Sequence, residues 1–261
     1  MLLKRLLGYL IRELSVFYDD GINMKSIIRR RQLKKNRINY QRYKLFDKKW
    51  LLQSNINTII DIGANIGEFT LIFSELFPGA EIYAFEPLPA CYNQLKANTK
   101  GIPTISTFNI GLGSKKSMQN IHKSSWHPAS SFREMSTIHK KNYPHSSEYE
   151  EIEVTIDILD NILQSESLNK NILIKMDVQG FEDEVIKGGV SIFKKARVVI
   201  VEVSFIELYK EEPLFHGIYS LLISMGFEYK GSLKQSMDKN DESFLQADCI
   251  FIRRENDYGN Y

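Results

Sequence analysis

The sequence predicts an α/β fold, a parallel sheet covered on both faces by helices, and three observations predict it. Short apolar runs alternate with helical periodicity from residue 58 onward, the runs are continuous rather than alternately polar, and Gly or Pro punctuates the helical segments. Continuous apolar strands are buried on both faces, as in a parallel sheet sandwiched between helices. A chain of 261 residues, 43% hydrophobic and 25% charged, can fill one substantial core without disulfides. Its two cysteines, Cys91 and Cys249, are far apart and form no Cys-x-x-Cys, so a reducing, cytoplasmic setting is expected.

In chain order, Leu3, Leu6, Leu7, Leu10, Leu14 and Phe17 recur at helical spacing and predict an amphipathic helix over residues 1–18. A second basic helical stretch is expected over 27–52. Residues 58–62 read as a strand, 68–77 as a helix stopped by Pro78-Gly79, 81–85 as a strand, 89–99 as a helix and 104–110 as a strand. Residues 111–150, rich in Ser, Lys and His, break this rhythm and are expected to be irregular apart from a short helix at 134–141. The alternation resumes with a strand at 152–156, a helix at 157–163, a buried strand at 172–176, a helix at 182–187 and a strand at 198–203. Pro213 suits the first turn of a helix running to Met225 with Gly226 as its left-handed cap. Residues 227–230 and 247–252 are expected to pair as a closing antiparallel hairpin.

Net charge is +2, but residues 1–50 hold 14 Lys and Arg against 4 Asp and Glu, a balance of +10 that leaves −8 for the remainder. The basic charge belongs to an N-terminal extension, residues 1–54, ahead of a domain at 55–261. Two readings of this extension stand: an interfacial helix drawn to anionic lipid at the inner face of a membrane or to an acidic partner, or a helix packing its leucines on the domain or on a second copy of the chain. The apolar stretch 6–11, bounded by Arg5 and Arg12, falls well short of the ~18 residues a bilayer span needs.

The first core strand runs into Asp61-Ile-Gly63-Ala64-Asn65-Ile-Gly67 and then directly into a helix. Glycines there admit positive φ and close approach of the backbone to a ligand, and helix-start N–H groups attract an anionic moiety. Glu86 ends the second strand, 19 residues after Gly67, where a carboxylate can accept both hydroxyls of a ribose. The dinucleotide fingerprint Gly-x-Gly-x-x-Gly is not met, since Asn65 stands at the second glycine, and Gly-x-x-x-x-Gly-Lys is absent. Asp61 would repel a pyrophosphate but suits an ammonium or a sulfonium. S-adenosylmethionine therefore fits better than a nicotinamide dinucleotide.

Four segments together, Asp61 to Gly67, Phe85-Glu86-Pro87, Asn109-Ile110-Gly111-Leu-Gly113 and Lys175-Met-Asp177-Val-Gln179-Gly-Phe-Glu182 with Lys187-Gly188-Gly189, resemble the successive signatures of FkbM-type S-adenosylmethionine-dependent methyltransferases. The resemblance covers about residues 55–205. It implies a Rossmann-like seven-stranded methyltransferase sheet with a terminal antiparallel hairpin, and O-methylation of a hydroxyl on a sugar, glycolipid or polysaccharide precursor. It places donor contacts at Asp61, Gly63, Ala64, Asn65, Gly67, Glu86, Pro87, Asn109, Ile110 and Gly111, and Asp177 beside the transferred methyl. The family's motif more often reads Val-Glu-Gly where this chain has Val-Gln179-Gly.

Methyl transfer from a sulfonium requires the acceptor oxygen held in line, about 3–3.5 Å from the methyl carbon, and its proton accepted by a nearby group. Candidate catalytic groups are Asp177 at its strand end, Glu182 five residues on, Glu202 near the end of the neighbouring strand, and His127 in Trp126-His-Pro-Ala-Ser130-Ser131. His139 is a further imidazole candidate, Trp126 could stack on a sugar face, and residues 124–145 are expected to wall the acceptor site. No metal ligand set at standard spacing and no nucleic-acid-reading module occurs, so neither a metal nor a nucleic-acid partner is expected. A nicotinamide-dependent oxidoreductase and a non-catalytic nucleoside-binding module docking on a membrane or assembly complex are the rival readings.

Overall fold

The computed structural model describes residues 24–164, 168–169 and 171–254. The helix expected over 1–18 lies outside these residues. The chain divides into two compact units, Met1–Lys44 and Leu45–Tyr261.

The stretch expected as one basic helix over 27–52 is three: α1 (Met24–Lys35), α2 (Tyr40–Phe46) and α3 (Lys49–Leu52). The break has a local cause. Arg37 adopts a left-handed φ of 63°, and the Asn39 carboxamide then accepts from the N–H groups of Gln41 (2.9 Å) and Arg42 (3.2 Å), which caps a fresh start.

The second unit is built on a seven-stranded, mostly parallel sheet. Its early part alternates β1 (Thr58–Ile62), α4 (Glu68–Leu76), β2 (Glu81–Phe85), α5 (Pro89–Asn98) and β3 (Ile105–Phe108). The short strand β4 (Gly111–Leu112) and β5 (Ser117–Ser124) follow, then α6 (Thr137–Asn142), β6 (Tyr149–Asp157) and α7 (Leu159–Ile162). The chain returns to the main sheet with β7 (Ile172–Met176), α8 (Glu182–Gly188), α9 (Val190–Lys195), β8 (Ala196–Ser204), α10 (Phe215–Ser224), β9 (Phe227–Met237) and β10 (Phe244–Arg253). Strand order is β3-β2-β1-β7-β8-β10-β9, with β10 antiparallel to both neighbours. This is the α/β sheet with a terminal antiparallel hairpin that the sequence predicts, and every residue of β1 and β7 is buried, as their continuous apolar runs require.

The sequence reading fails in the middle. Residues 111–150 were expected to be irregular, yet Ser117–Ser124 pairs antiparallel with Tyr149–Asp157 along its whole length, and β4 joins the other edge of β6. The strand expected at 152–156 thus belongs to this separate three-stranded sheet and not to the main one. Its unforeseen partner Ser117–Ser124 is half exposed and rich in Ser, Asn, Gln and Lys, so no apolar run announced it. The short helix sits at Thr137–Asn142 with Ser136 as its cap, its hydroxyl accepting from the His139 N–H. Pro213 precedes α10, whose N-cap is Leu214, and is not in its first turn. Gly226 follows that helix at φ 91°, the left-handed cap expected.

The chain runs β1, β2, β3 outward on one side and crosses back to place β7 on the other side of β1. The sequence order of the strands therefore reverses between β1 and β7. A reversal of this kind opens a crevice at the carboxyl ends of the strands, where ligands of such sheets bind.

Candidate active site

The floor of the crevice is fastened by backbone alone. Gly63 and Ala64 donate to the Phe85 carbonyl (3.0 and 2.9 Å), Asp177 donates to Ile62 (3.0 Å) and Glu86 to Phe108 (3.0 Å). Gly63 has a φ of 78°, and a Cβ built there would lie 2.0 Å from the Asp177 carbonyl oxygen, so no side chain fits where these loops touch. Gly67, at φ 88°, turns the chain into α4.

Glu86 stands at the end of β2, 5% exposed. One carboxylate oxygen accepts from the Asn65 N–H (2.8 Å) and the other from the Leu88 N–H (2.9 Å), which fixes the plane of the group. Burial lifts its pKa to about 7 against the pull of those two bonds, and Asp61 and Asp177 push the same way. Asn65 reaches this position in a left-handed conformation, φ 50°. Asn109 donates from its carboxamide to the Glu86 and Pro87 carbonyls, both at 2.9 Å, and so braces the turn after β2. Ala64 is buried, Ile110 is half-buried beside the Phe85–Phe108 stack, and Gly111 is closed over by the Phe132 ring, 3.0 Å from where a Cβ would be.

Asp61 is placed differently from its expected role. It is 1% exposed within β1, accepts from the Thr70 hydroxyl at 2.5 Å, and has its pKa raised to about 6 by burial. It stands behind the loop, facing α4 and Lys175, so any pull on a cation acts through the field and not by contact.

Across the crevice Asp177 follows β7 and keeps 26% of its side chain exposed. Glu202, on β8, is half-buried, and burial followed by Asp177 and Asp248 holds its pKa well above the usual range. Lys175 lies beneath both, fully buried, 3.0 Å from Asp248 and 3.7 Å from Asp177, with its ammonium 5.2 Å from the centre of the Phe69 ring. Burial pulls the Lys175 pKa down, but Asp248, Asp177 and Glu202 together carry it above the ordinary lysine value. Gln179 closes the arrangement, its side-chain nitrogen donating to Asp177 at 2.7 Å and to Glu202 at 2.6 Å. A glutamate at 179 would set a further carboxylate against these two; the neutral amide supplies two donors instead.

Of the other expected catalytic residues, Glu182 feels the Asp177 charge but has no described hydrogen bond to it. Glu182 is 3% exposed and accepts from the Val178 (3.3 Å) and Gly180 (3.2 Å) N–H groups, which makes it a brace under the 178–180 loop; burial raises its pKa to about 8. His127 is exposed in the turn His127–Ala129, and none of its described contacts reaches a carboxylate of the crevice. His139 is buried at 3%, its pKa lowered to about 4 by burial and then by His145 and Lys140, so it stays neutral.

Part of the 124–145 segment touches the loop after β7, the start of α8 and the turn before Tyr209. The Ser131 hydroxyl donates to the Gln179 carbonyl (2.6 Å), Ser136 N–H to Leu208 (2.8 Å), and Arg133 pairs with Asp183 (3.3 Å). Trp126, 45% exposed, meets His145 edge-on at 5.3 Å. Residues missed in the sequence are Lys175, Tyr209, Glu212 and Asp248. Glu212 accepts from the Ser204 hydroxyl (2.9 Å) and the N–H groups of Leu208 and Tyr209, fixing the turn that carries Tyr209. One signal was available: a lysine inside the apolar run Ile-Leu-Ile-Lys-Met demands a buried partner. Among the described residues no group of three or more His, Cys, Asp or Glu could hold a metal ion, and no helix is long and apolar enough to cross a membrane.

Comparison with known proteins then decides the family. A model described as the methyltransferase FkbM domain matches residues 61–229, which span Glu86, Asp177, Gln179 and Glu202. The chain belongs to the FkbM methyltransferase family. It is 29% identical over 180 residues to the 2-O-methyltransferase NoeI of Sinorhizobium fredii strain NGR234, covering 67% of this chain and 74% of that one. It is 30% identical over 146 residues to the hexuronic acid methyltransferase AglP of Haloferax volcanii, covering 55% and 54%. Among solved structures, the precorrin-6y C5,15-methyltransferase of Geobacter metallireducens aligns over 80% of this chain and 88% of its own, at 13% identity and a TM-score of 0.40.

Proposed function

We propose that this chain is an S-adenosylmethionine-dependent O-methyltransferase acting on a hydroxyl of a sugar, glycolipid or polysaccharide precursor. The observation that carries the donor half is Glu86. Its two backbone bonds use two of the four lone-pair sites of the carboxylate, so two remain for the vicinal hydroxyls of a ribose. The charges acting on Glu86 are Asp61 and Asp177, both acidic. That field opposes the pyrophosphate of a nicotinamide dinucleotide and favours a ligand bearing ammonium and sulfonium groups. S-adenosylmethionine, when bound, supplies a methyl group already activated as a sulfonium.

This chain's own residues then have two tasks. Glu86 and the 63–67 loop hold the nucleoside, while Asp177 and Glu202, facing the crevice from adjacent strands, stand ready to accept the proton of an alcohol. For the acceptor, support comes from the two relatives named as a 2-O-methyltransferase and a hexuronic acid methyltransferase, and from the exposed Trp126 on the insert, a flat apolar face of the kind on which sugar rings stack.

Calorimetric titration with S-adenosylhomocysteine and, separately, with NADH tests the donor. Binding of the first and not the second is expected, and the reverse would sink the reading. A panel of nucleotide sugars and oligosaccharides incubated with methyl-labelled donor then tests the acceptor class, with label expected in a carbohydrate hydroxyl.

A further inference from the structure

Behind Gln179 runs a line of buried polar groups that the proposed chemistry does not itself use. Gln179 holds a left-handed φ of 53° in the loop after β7. Both hydrogens of its side-chain nitrogen are committed, one to Asp177 and one to Glu202. Its carbonyl oxygen lies 2.8 Å from the Tyr209 hydroxyl. Tyr209 is fully buried, and its hydroxyl also lies 3.1 Å from the Ala129 carbonyl and 3.2 Å from His139 Nε2. Burial, followed by the carboxylates of Glu202, Glu212, Asp177 and Glu182, raises the Tyr209 pKa, so the phenol keeps its proton.

One phenolic proton cannot serve three acceptors, and His139 resolves the choice. Its Nδ1 is buried without a partner. A proton on Nδ1 would bury an unpaired N–H, which costs more than a bare ring nitrogen. The neutral imidazole therefore carries its proton on Nε2 and donates it to the Tyr209 oxygen. Tyr209 keeps its own proton for Gln179 Oε1, the shorter of the two remaining contacts. A flipped Gln179 amide would turn Oε1 toward two carboxylates and is excluded by the same network.

We propose that Tyr209 and His139 are positioning residues for methyl transfer, locking the Gln179 amide so that its two N–H groups orient Asp177 and Glu202 and lower the proton affinity of the pair. The proposal rests on the reading that one of these carboxylates takes the acceptor's proton. The charged groups facing the pair are Lys175 from β7 and Asp248 from β10, while Asp61 from β1, Glu86 at the end of β2 and Glu182 from α8 act on Asp177; Glu182 and Glu212 also lie toward Tyr209, and His145 and Lys140 act on His139. Losing the Tyr209 hydroxyl frees the amide to rotate, and the pair then gives up part of its N–H donation.

The test is a carboxyl 13C NMR titration of the full chain labelled in Asp and Glu, comparing wild type, Tyr209→Phe and Gln179→Glu. In Tyr209→Phe the upper titration step of the Asp177–Glu202 pair is expected to rise by about half to one unit, and in Gln179→Glu by more. A packing role alone would lower the melting temperature without moving that step. Superimposable titrations of wild type and Tyr209→Phe would overturn the proposal, as would an unmoved Gln179→Glu. A second reading needs no variant: the 15N shifts of His139 at pH 7 are expected to show the Nε2–H tautomer, and an Nδ1–H tautomer would refute the lock. S-adenosylhomocysteine binding by the wild type tests the donor reading separately, since none of the described contacts joins Tyr209 to Glu86 or to the 63–67 loop.

Discussion

The two walls of the crevice are made in different ways. The β1–β2 wall is built from one short loop, one carboxylate and backbone hydrogen bonds between adjacent strands, and the two bonds to that carboxylate span 21 residues from Asn65 and two from Leu88. The β7–β8 wall is assembled from side chains far apart in the chain: Lys175 with Asp248 across 73 residues, Tyr209 with His139 across 70, Ser131 with Gln179 across 48. A ligand common to many enzymes can be held by local geometry. The groups proposed for the reaction are ones that only the finished fold brings together.

The predictions sharpen that contrast. The largest effect is expected at Glu86, where Glu86→Ala removes the acceptor of two ribose hydroxyls, each charge-assisted bond contributing about 1.5–3 kcal/mol. Donor affinity measured by calorimetry should fall by roughly a hundredfold or more, and an unchanged value would break the assignment of this wall to the nucleoside.

Next comes Gly63→Ala. Positive φ and the clash with the Asp177 carbonyl should together cost about 3 kcal/mol or more in urea unfolding. A loss under about 1 kcal/mol would mean that the two walls are not fastened through this contact.

The third effect is of pH. The Glu86 pKa is raised to about 7 and the Glu182 pKa to about 8, both above the ordinary carboxylate value, so the folded state holds protons that the unfolded chain has already released. Their contribution to stability is full below about pH 4.5 and is lost as pH rises through about 7 to 8. Melting temperature should therefore decline between pH 5 and pH 8.5, and less steeply in Glu182→Gln. Donor binding should run the opposite way, because the ionised Glu86 accepts hydroxyl bonds better. Affinity should rise about tenfold from pH 6 to pH 8 and be flat in Glu86→Gln.

The smallest effect is expected at Trp126, which the proposed function assigns to the acceptor. Trp126→Ala should raise the acceptor KM a few-fold, on the order of 0.5–1.5 kcal/mol, with donor affinity unchanged. A change in donor affinity instead would place Trp126 on the wrong wall.

What the sequence disclosed follows the same division. The places of Gly63, Gly67 and Glu86 in the fold were legible because a strand, a turn and the next strand are written in spacing along the chain. Asp177 was legible from its place at the end of an apolar run. The strand Ser117–Ser124 was not, because a half-exposed polar strand carries no apolar period to detect. Glu182 is a candidate through the family resemblance, yet the structure sets it as an acceptor for the Val178 and Gly180 N–H groups, a brace under the loop. His139 and Tyr209 illustrate the remaining gap. A histidine on a short helix reads as a surface base, and only the burial around it turns it into a neutral partner of a phenol 70 residues away.

The central claim is that the turn leaving β1 and the carboxylate ending β2 grip an adenosine. A crystal structure of the protein with S-adenosylhomocysteine tests it most directly. Both ribose hydroxyls within hydrogen-bonding distance of the Glu86 carboxylate, with the homocysteine end directed toward Asp177, is the predicted result. A nucleoside bound elsewhere, leaving Glu86 engaged only with Asn65 and Leu88, would contradict it.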